Sequence, residues 1–243
     1  MHILVVNPNT TVAMTETIGR AARAAATPGT EIVAVNLPDG PGSIEGYFDE
    51  AFSVPRLLAE TAKRDASVSA HVMACFDDTG LEAGRRFAWA PVIAIGEAAF
   101  HLASTLGYRF SVITTPSRSI AAIETSLLKY GLASRCAKVR ACKVPVLSVD
   151  DLASNASALI SAEIELAKRE DSAEVVVLGC AGMADLAARL SEQHGLPVVD
   201  GVASAIKLAE ALGALGLKTS KIGSYAAPRP KAYLGSLASF APR

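Results

Sequence analysis

Two stretches decide the fold: Pro91 to Gly107 reads PVIAIGEAAFHLASTLG, and Pro197 to Gly213 reads PVVDGVASAIKLAEALG. Aligned without gaps, they share an opening Pro-Val, an alanine, a Leu-Ala and a closing Leu-Gly. Each starts as a β-branched run and continues as an Ala/Leu-rich helical pattern, a strand feeding a helix. Two Ala/Leu helices can resemble each other by chance. Chance does not explain the cysteines: Cys75 precedes Pro91, and Cys180 precedes Pro197, at nearly equal distance. The chain therefore reads as two similar halves, each presenting one cysteine after a strand and before a helix.

Working outward, strands are expected at His2–Val6, Glu31–Asn36, Ala70–Ala74, Val92–Ile95, Phe110–Thr114, Ala173–Leu178 and Val198–Val199. Helices are expected to begin near Thr11, Phe48, Thr79, Glu97, Ser119, Asp151, Ala184 and Val202. Alternation of this kind predicts an α/β fold of mostly parallel sheets flanked by helices. Ligands in such folds sit beyond the carboxyl ends of the strands, so residues immediately after strands are the ones to inspect.

Composition narrows the function. The chain of 243 residues is 51% hydrophobic and 19% charged, with a formal net charge of −1. That balance gives no electrostatic footprint for nucleic acid or an anionic membrane. Met1–His2 leads straight into a short apolar strand, without the basic and long apolar regions of a signal peptide, so a cytoplasmic protein is expected. No apolar run is long enough to span a bilayer. The four cysteines show no CxxC pair, and the histidines (His2, His71, His101, His194) are scattered, so neither a metal site nor a disulfide framework is expected. The loop after the first strand lacks a dinucleotide fingerprint.

The two cysteine motifs carry the chemistry. The first is Met73-Ala74-Cys75-Phe76-Asp77-Asp78-Thr79-Gly80, in which Thr79 and Glu82 fit a capping box opening a helix. The second is Leu178-Gly179-Cys180-Ala181-Gly182-Met183, whose glycines let backbone N–H groups approach a ligand. A cysteine at a helix N-terminus has a lowered pKa, so partial thiolate is expected at neutral pH. Two opposed cysteines suit racemisation: one thiolate removes a proton from one face of a carbon while the other thiol delivers a proton to the opposite face. A lone cysteine is ordinarily inert packing, and Cys136 and Cys142, outside the repeat, are assigned to that role.

At these residues the chain resembles the aspartate/glutamate/hydantoin racemase superfamily, in its hydantoin and allantoin racemase branch. The matching segments are Asn7-Pro8-Asn9-Thr10-Thr11, Ser43-Ile44-Glu45-Gly46, Ala74-Cys75-Phe76-Asp77-Asp78, Val112-Ile113-Thr114-Thr115, Leu178-Gly179-Cys180-Ala181-Gly182-Met183 and Val199-Asp200-Gly201. The resemblance implies two pseudo-symmetric α/β domains with the active site in the cleft between them. It implies a first domain of residues 1–96 plus 206–243 and a second of 97–205. It also implies catalysis by Cys75 and Cys180 without cofactor or metal, on a small hydantoin-type ring, in a homo-oligomer. Amino-acid racemases of the superfamily follow the first cysteine with Asn-Thr and the second with Thr, groups that help bind a free carboxylate. Here the followers are Phe76-Asp77 and Ala181-Gly182. A neutral or weakly acidic ring fits that departure better than aspartate.

The ring eases the chemistry, because its C5 hydrogen lies beside a carbonyl and no carboxylate opposes the carbanion. Fixed N–H dipoles can hold the enolate. General acid–base help supplies on the order of 10²–10⁴-fold, so positioning and enolate stabilisation supply the rest. The supporting residues have competing local roles. Asn9 can bond a ring or close an Asx turn. Ser43 and Ile44 line the pocket by resemblance, or form a Gly/Pro loop. Phe76 can wall the site or join the core. Thr114 and Thr115 can hold a ring carbonyl or serve a turn. Gly179, Ala181 and Gly182 can shape an oxyanion-binding backbone or pack a helix. Asp77 and Asp78 read as helix-entry acids rather than a catalytic pair. Allantoin is a 5-substituted hydantoin and is equally compatible. Decarboxylation or cis–trans isomerisation, which related members perform typically with one cysteine, and a non-catalytic binding protein are the further alternatives.

Overall fold

The computed structural model describes residues 1–148 and 155–242. Among these residues, two four-stranded sheets form, all pairings parallel. The first contains β1 (His2–Asn7), β2 (Glu31–Asn36), β3 (Ala70–Met73) and β4 (Val92–Ala94), in the order β2-β1-β3-β4. The second contains β5 (Phe110–Thr114), β6 (Cys136–Ala141), β7 (Val175–Gly179) and β8 (Val198–Asp200), in the order β6-β5-β7-β8. The two orders are the same pattern repeated. The protein is thus an α/β fold of two parallel, helix-flanked halves.

The connecting helices are α1 (Val12–Ala25), α2 (Tyr47–Arg64), α3 (Leu81–Phe87), α4 (Ile95–Leu106), α5 (Ile120–Lys129), α6 (Ala156–Glu170), α7 (Ala187–His194) and α8 (Gly201–Ala214). Central strands are apolar on both faces, as parallel sheets covered by helices require. In β1, Ile3 and Val5 face a cluster shared by both halves, while Leu4 and Val6 face a cluster with Leu57 and Leu81. In β7, Val175 and Val177 join the shared cluster, and Val176 and Leu178 join one with Ile160 and Leu190. The period-two alternation of strand side chains produces this division.

The shared cluster is built around α4 and α8. Each leaves the last strand of its own half without a loop, since β4 ends at Ala94 and β8 at Asp200. Helix α4 packs against β7, α8 packs against β3 and α1, and the two helices pack on each other. Each repeated segment thus covers the sheet of the opposite half.

Several expectations need correction. Strand β6 was absent from the expected set: Cys136-Ala-Lys-Val-Arg-Ala is an edge strand whose charged residues mask its signal. Arg140 within it is almost fully buried, held by Asp171 at 2.7 Å and Glu170 at 3.0 Å. The helix expected from Ala184 is a 3₁₀ run over Ala181–Leu186, with α7 starting at Ala187. The expected start near Asp151 lies outside the described residues; α6 is described from Ala156. The Thr79 capping box does not form. Helix α3 starts at Leu81 after Gly80, whose left-handed φ of 74° turns the chain, and no side chain caps it.

Beyond α8 the chain crosses back over the first half, where Thr219 bonds the Ala90 carbonyl at 3.0 Å, Lys221 the Arg85 carbonyl at 2.7 Å, and Tyr225 the Glu82 carboxylate at 2.8 Å. Among the described residues no helix is long and apolar enough to cross a membrane.

The meeting of α4 and α8 tolerates no side chain at Gly201, because a Cβ there would lie 2.7 Å from the Ile95 carbonyl oxygen and 3.0 Å from the Ile95 Cβ. Gly201→Ala is expected to cost about 1–3 kcal/mol through overpacking. Scanning calorimetry should show the melting temperature falling by roughly 2–4 °C per kcal/mol lost; an unchanged transition would contradict this account of the helix contact.

Candidate active site

The carboxyl ends of β1, β3, β5 and β7 open into one cleft between the two sheets. Cys75 follows β3 and Cys180 follows β7, the equivalent strands of the two halves, and both line the cleft. Of the other expected site residues, Asn9, Ile44, Phe76, Thr114, Thr115, Gly179 and Ala181 also line it. Ser43 and Gly182 do not. The Ser43 hydroxyl donates to Glu45 at 3.1 Å, and Gly182 is buried in the 3₁₀ run.

Local bonding resolves several of the competing roles. Asn9 is an Asx turn and a cleft wall together: its Oδ1 accepts from the Thr11 amide and from Asn7 Nδ2, both at 2.9 Å. Its Nδ2 faces only the Met14 thioether, at 3.2 Å, a weak acceptor that leaves this donor exchangeable for a better one. Thr114 spends its hydroxyl on the Gly179 carbonyl at 3.1 Å, tying β5 to β7 beneath the site. Glycine at 179 suits this close approach, since a Cβ would sit 3.1 Å from Ile113 and Thr114 backbone atoms, tighter than ordinary contact. Phe76 is both wall and core, stacked edge-on against Phe100 with centroids 5.3 Å apart.

The two acids after Cys75 separate in function. Asp78 is a helix-entry acid, but for α4 rather than for the helix that follows it. It accepts from the Gly96 and Glu97 amides, each at 2.9 Å, and from the Tyr130 hydroxyl at 2.6 Å. Asp200 does the same for α8 by direct capping, accepting from the Val202 amide at 2.7 Å. Asp77 instead lines the cleft. Burial, together with the charge of Glu50, pushes it up to about 7 against the favourable contact of the Ser119 hydroxyl.

Cys75 departs from expectation. No helix begins at it; the Asp78 amide closes a turn onto the Cys75 carbonyl at 3.1 Å, and α3 starts only at Leu81. The helix dipole is therefore missing. Burial raises the thiol pKa well above its ordinary value, and the charge of Asp77 raises it further, while the Thr79 hydroxyl and the Asp77 amide oppose this. Burial and Asp77 thus favour the thiol form of Cys75 over the expected partial thiolate. Cys136 and Cys142 do not line the cleft; Cys136 is pushed up to about 12 by burial.

Sequence reasoning missed Asn7, Met14, Asp77, Ser119 and Val146 in the lining. Asn7 stood visible in Asn-Pro-Asn, and its Nδ2 also bonds Thr15 at 3.0 Å. Ser119 and Val146 follow strands β5 and β6, and the second could not be placed without β6. Among the described residues the lining includes no Lys or Arg, and none forms a His/Cys/Asp/Glu group able to hold a metal ion.

This geometry has relatives. The model of the Asp/Glu/Hydantoin racemase family matches residues 3–209. The chain belongs to the Asp/Glu/Hydantoin racemase family. It is an isomerase of the racemase kind. It is 49% identical to a hydantoin racemase of Rhizobium meliloti, over 97% of this chain and 98% of that protein. It is 42% identical to a hydantoin racemase of a Pseudomonas species, over 99% and 97%. Its structure is similar to that of an allantoin racemase from Klebsiella pneumoniae, with a TM-score of 0.97, 45% identity and full coverage of both chains.

The electrostatics give a signed prediction for Asp77→Asn. Removing the carboxylate charge lowers the Cys75 pKa, so alkylation of Cys75 by iodoacetamide should accelerate about three- to tenfold above pH 7. Because Asp77 takes up a proton as pH falls through about 7, the gain should shrink below that pH. Peptide mass spectrometry reads the rate at each pH; an equal gain at pH 5.5 and 8.5 would contradict the assignment.

Proposed function

We propose that the protein racemises 5-substituted hydantoins by two-base proton transfer at C5, with Cys75 and Cys180 on opposite faces of the ring. The observation carrying this reading is that both cysteines leave equivalent strand ends and line one cleft. In one direction a Cys180 thiolate takes the C5 proton, an S–H bond forming as the C–H bond breaks. The electron pair moves into the ring carbonyl as an enolate. Cys75, resting as a thiol, then delivers its proton to the other face and becomes the thiolate. The opposite enantiomer runs the same steps in reverse.

The lining supports the substrate class. Asn9, Thr115 and Ser119 offer neutral polar groups, and the one carboxylate, Asp77, would repel a second. A free amino-acid carboxylate would meet no Lys or Arg among the described lining residues. A neutral ring suits this environment, and the names of the Rhizobium and Pseudomonas relatives support it. Allantoin carries the same ring, and the Klebsiella neighbour bears its name, so it belongs in the assay. The reading includes a cytoplasmic homo-oligomer that needs neither metal nor cofactor, with Asn9, Ile44, Phe76, Thr114, Thr115, Gly179 and Ala181 around the substrate. It also includes division of the chain into residues 1–96 with 206–243, and 97–205.

Polarimetry tests the proposal. Pure enzyme with a chelator should abolish the rotation of an enantiopure 5-substituted hydantoin faster than a no-enzyme control, and leave L-aspartate unchanged. Cys75→Ala and Cys180→Ala should each reduce racemisation by at least a thousandfold. Retention of native rates in either variant would refute the two-base mechanism, and relative rates on hydantoins and allantoin would rank the 5-substituent.

A further inference from the structure

Thr79 is fully buried, and its hydroxyl oxygen makes no hydrogen bond. A hydroxyl taken from water without a partner is destabilising, and a valine of the same shape would avoid the loss. The local fold gives no reason for it. The capping role that its position suggests is not taken, since α3 starts two residues later without a side-chain cap.

Its surroundings supply one. The turn that joins the Asp78 amide to the Cys75 carbonyl is followed directly by Thr79, whose buried hydroxyl favours a thiolate at Cys75. On the reading of the site proposed above, we infer that Thr79 is a positioning residue for Cys75, its unpartnered hydroxyl serving as hydrogen-bond donor to the thiolate that forms once Cys75 has delivered its proton. The Asp77 amide is the second donor. The thiol form has little call on either; the thiolate needs both.

The repeat gives an independent argument. Cys75-Phe76-Asp77-Asp78-Thr79 aligns with Cys180-Ala181-Gly182-Met183-Ala184. The half that places two acids after its cysteine also places a hydroxyl four residues on. The half without those acids has alanine there. Asp77 and Asp78 both disfavour charge on Cys75, and the hydroxyl stands in the half that carries them.

Thr79→Val and Thr79→Ser test this, with iodoacetamide alkylation of each cysteine followed by peptide mass spectrometry at pH 9. In Thr79→Val, Cys75 should alkylate about tenfold more slowly, Cys180 should react at its native rate, and the melting temperature should hold or rise. Thr79→Ser should restore Cys75 reactivity. Thr79→Ala, which cannot overpack, gives the same reading should valine disturb the fold. Native Cys75 reactivity in folded Thr79→Val or Thr79→Ala would overturn the inference and leave Thr79 a packing residue. These arms need no substrate, so they decide the role of Thr79 even where the racemase reading fails. On an active enzyme, Thr79→Val in a Cys180→Ala background should slow deuterium entry at C5 about tenfold, because Cys75 is then the only base.

Discussion

The structure depends on the contact between the first turns of α4 and α8. Gly201 lies against the Ile95 backbone, and each helix crosses to cover the other half's sheet. This crossing merges the two halves into one shared apolar cluster and fixes where the carboxyl ends of the strands converge. The site follows from it. Asp78 and Asp200 hold the starts of these same helices, and Asp78 belongs to the loop that carries Cys75. A shift of either helix would therefore be felt at the loop of Cys75. Packed interiors transmit such shifts because they lack room to absorb them.

Most of the architecture was legible because parallel α/β chains write it plainly. Buried central strands such as Phe110–Thr114 are short runs rich in β-branched residues, and the Pro-Val to Leu-Gly repeat exposes the duplication directly. Strand β6 was not legible, because an edge strand partnered on one side keeps charged residues, and Arg140 finds its carboxylates only in the fold. Helix starts near the cysteines were misplaced for a related reason. Thr79 and Glu82 satisfy the capping pattern, yet the left-handed Gly80 diverts the chain. Residues 181–186 form a 3₁₀ run that carries no distinct sequence period.

The lining of the cleft was legible in part, and its electrostatics were not. Strand-end position identified Cys75, Cys180, Thr114 and Asn9. The protonation state of Cys75 depends on the burial of its thiol and on the charge of Asp77, neither visible before the fold is known. For Cys75 the result departs from the expected partial thiolate at a helix N-terminus, whereas Cys180 does precede the 3₁₀ run Ala181–Leu186. The duplicated scaffold carries different neighbours at its two cysteines: Asp77 and Asp78 follow Cys75, whereas Ala181 and Gly182 follow Cys180. A racemase needs one acid and one base at rest, and sequence differences between the two halves provide a means to set them apart.

The central claim is that each cysteine serves one face of C5. The direct measurement is proton NMR of C5 exchange in D₂O, with each enantiomer of one hydantoin, on Cys75→Ala and Cys180→Ala separately. The account predicts that each variant exchanges one enantiomer with retained configuration, that the two variants choose opposite enantiomers, and that neither racemises above the uncatalysed rate. Exchange of both enantiomers by either variant would contradict it.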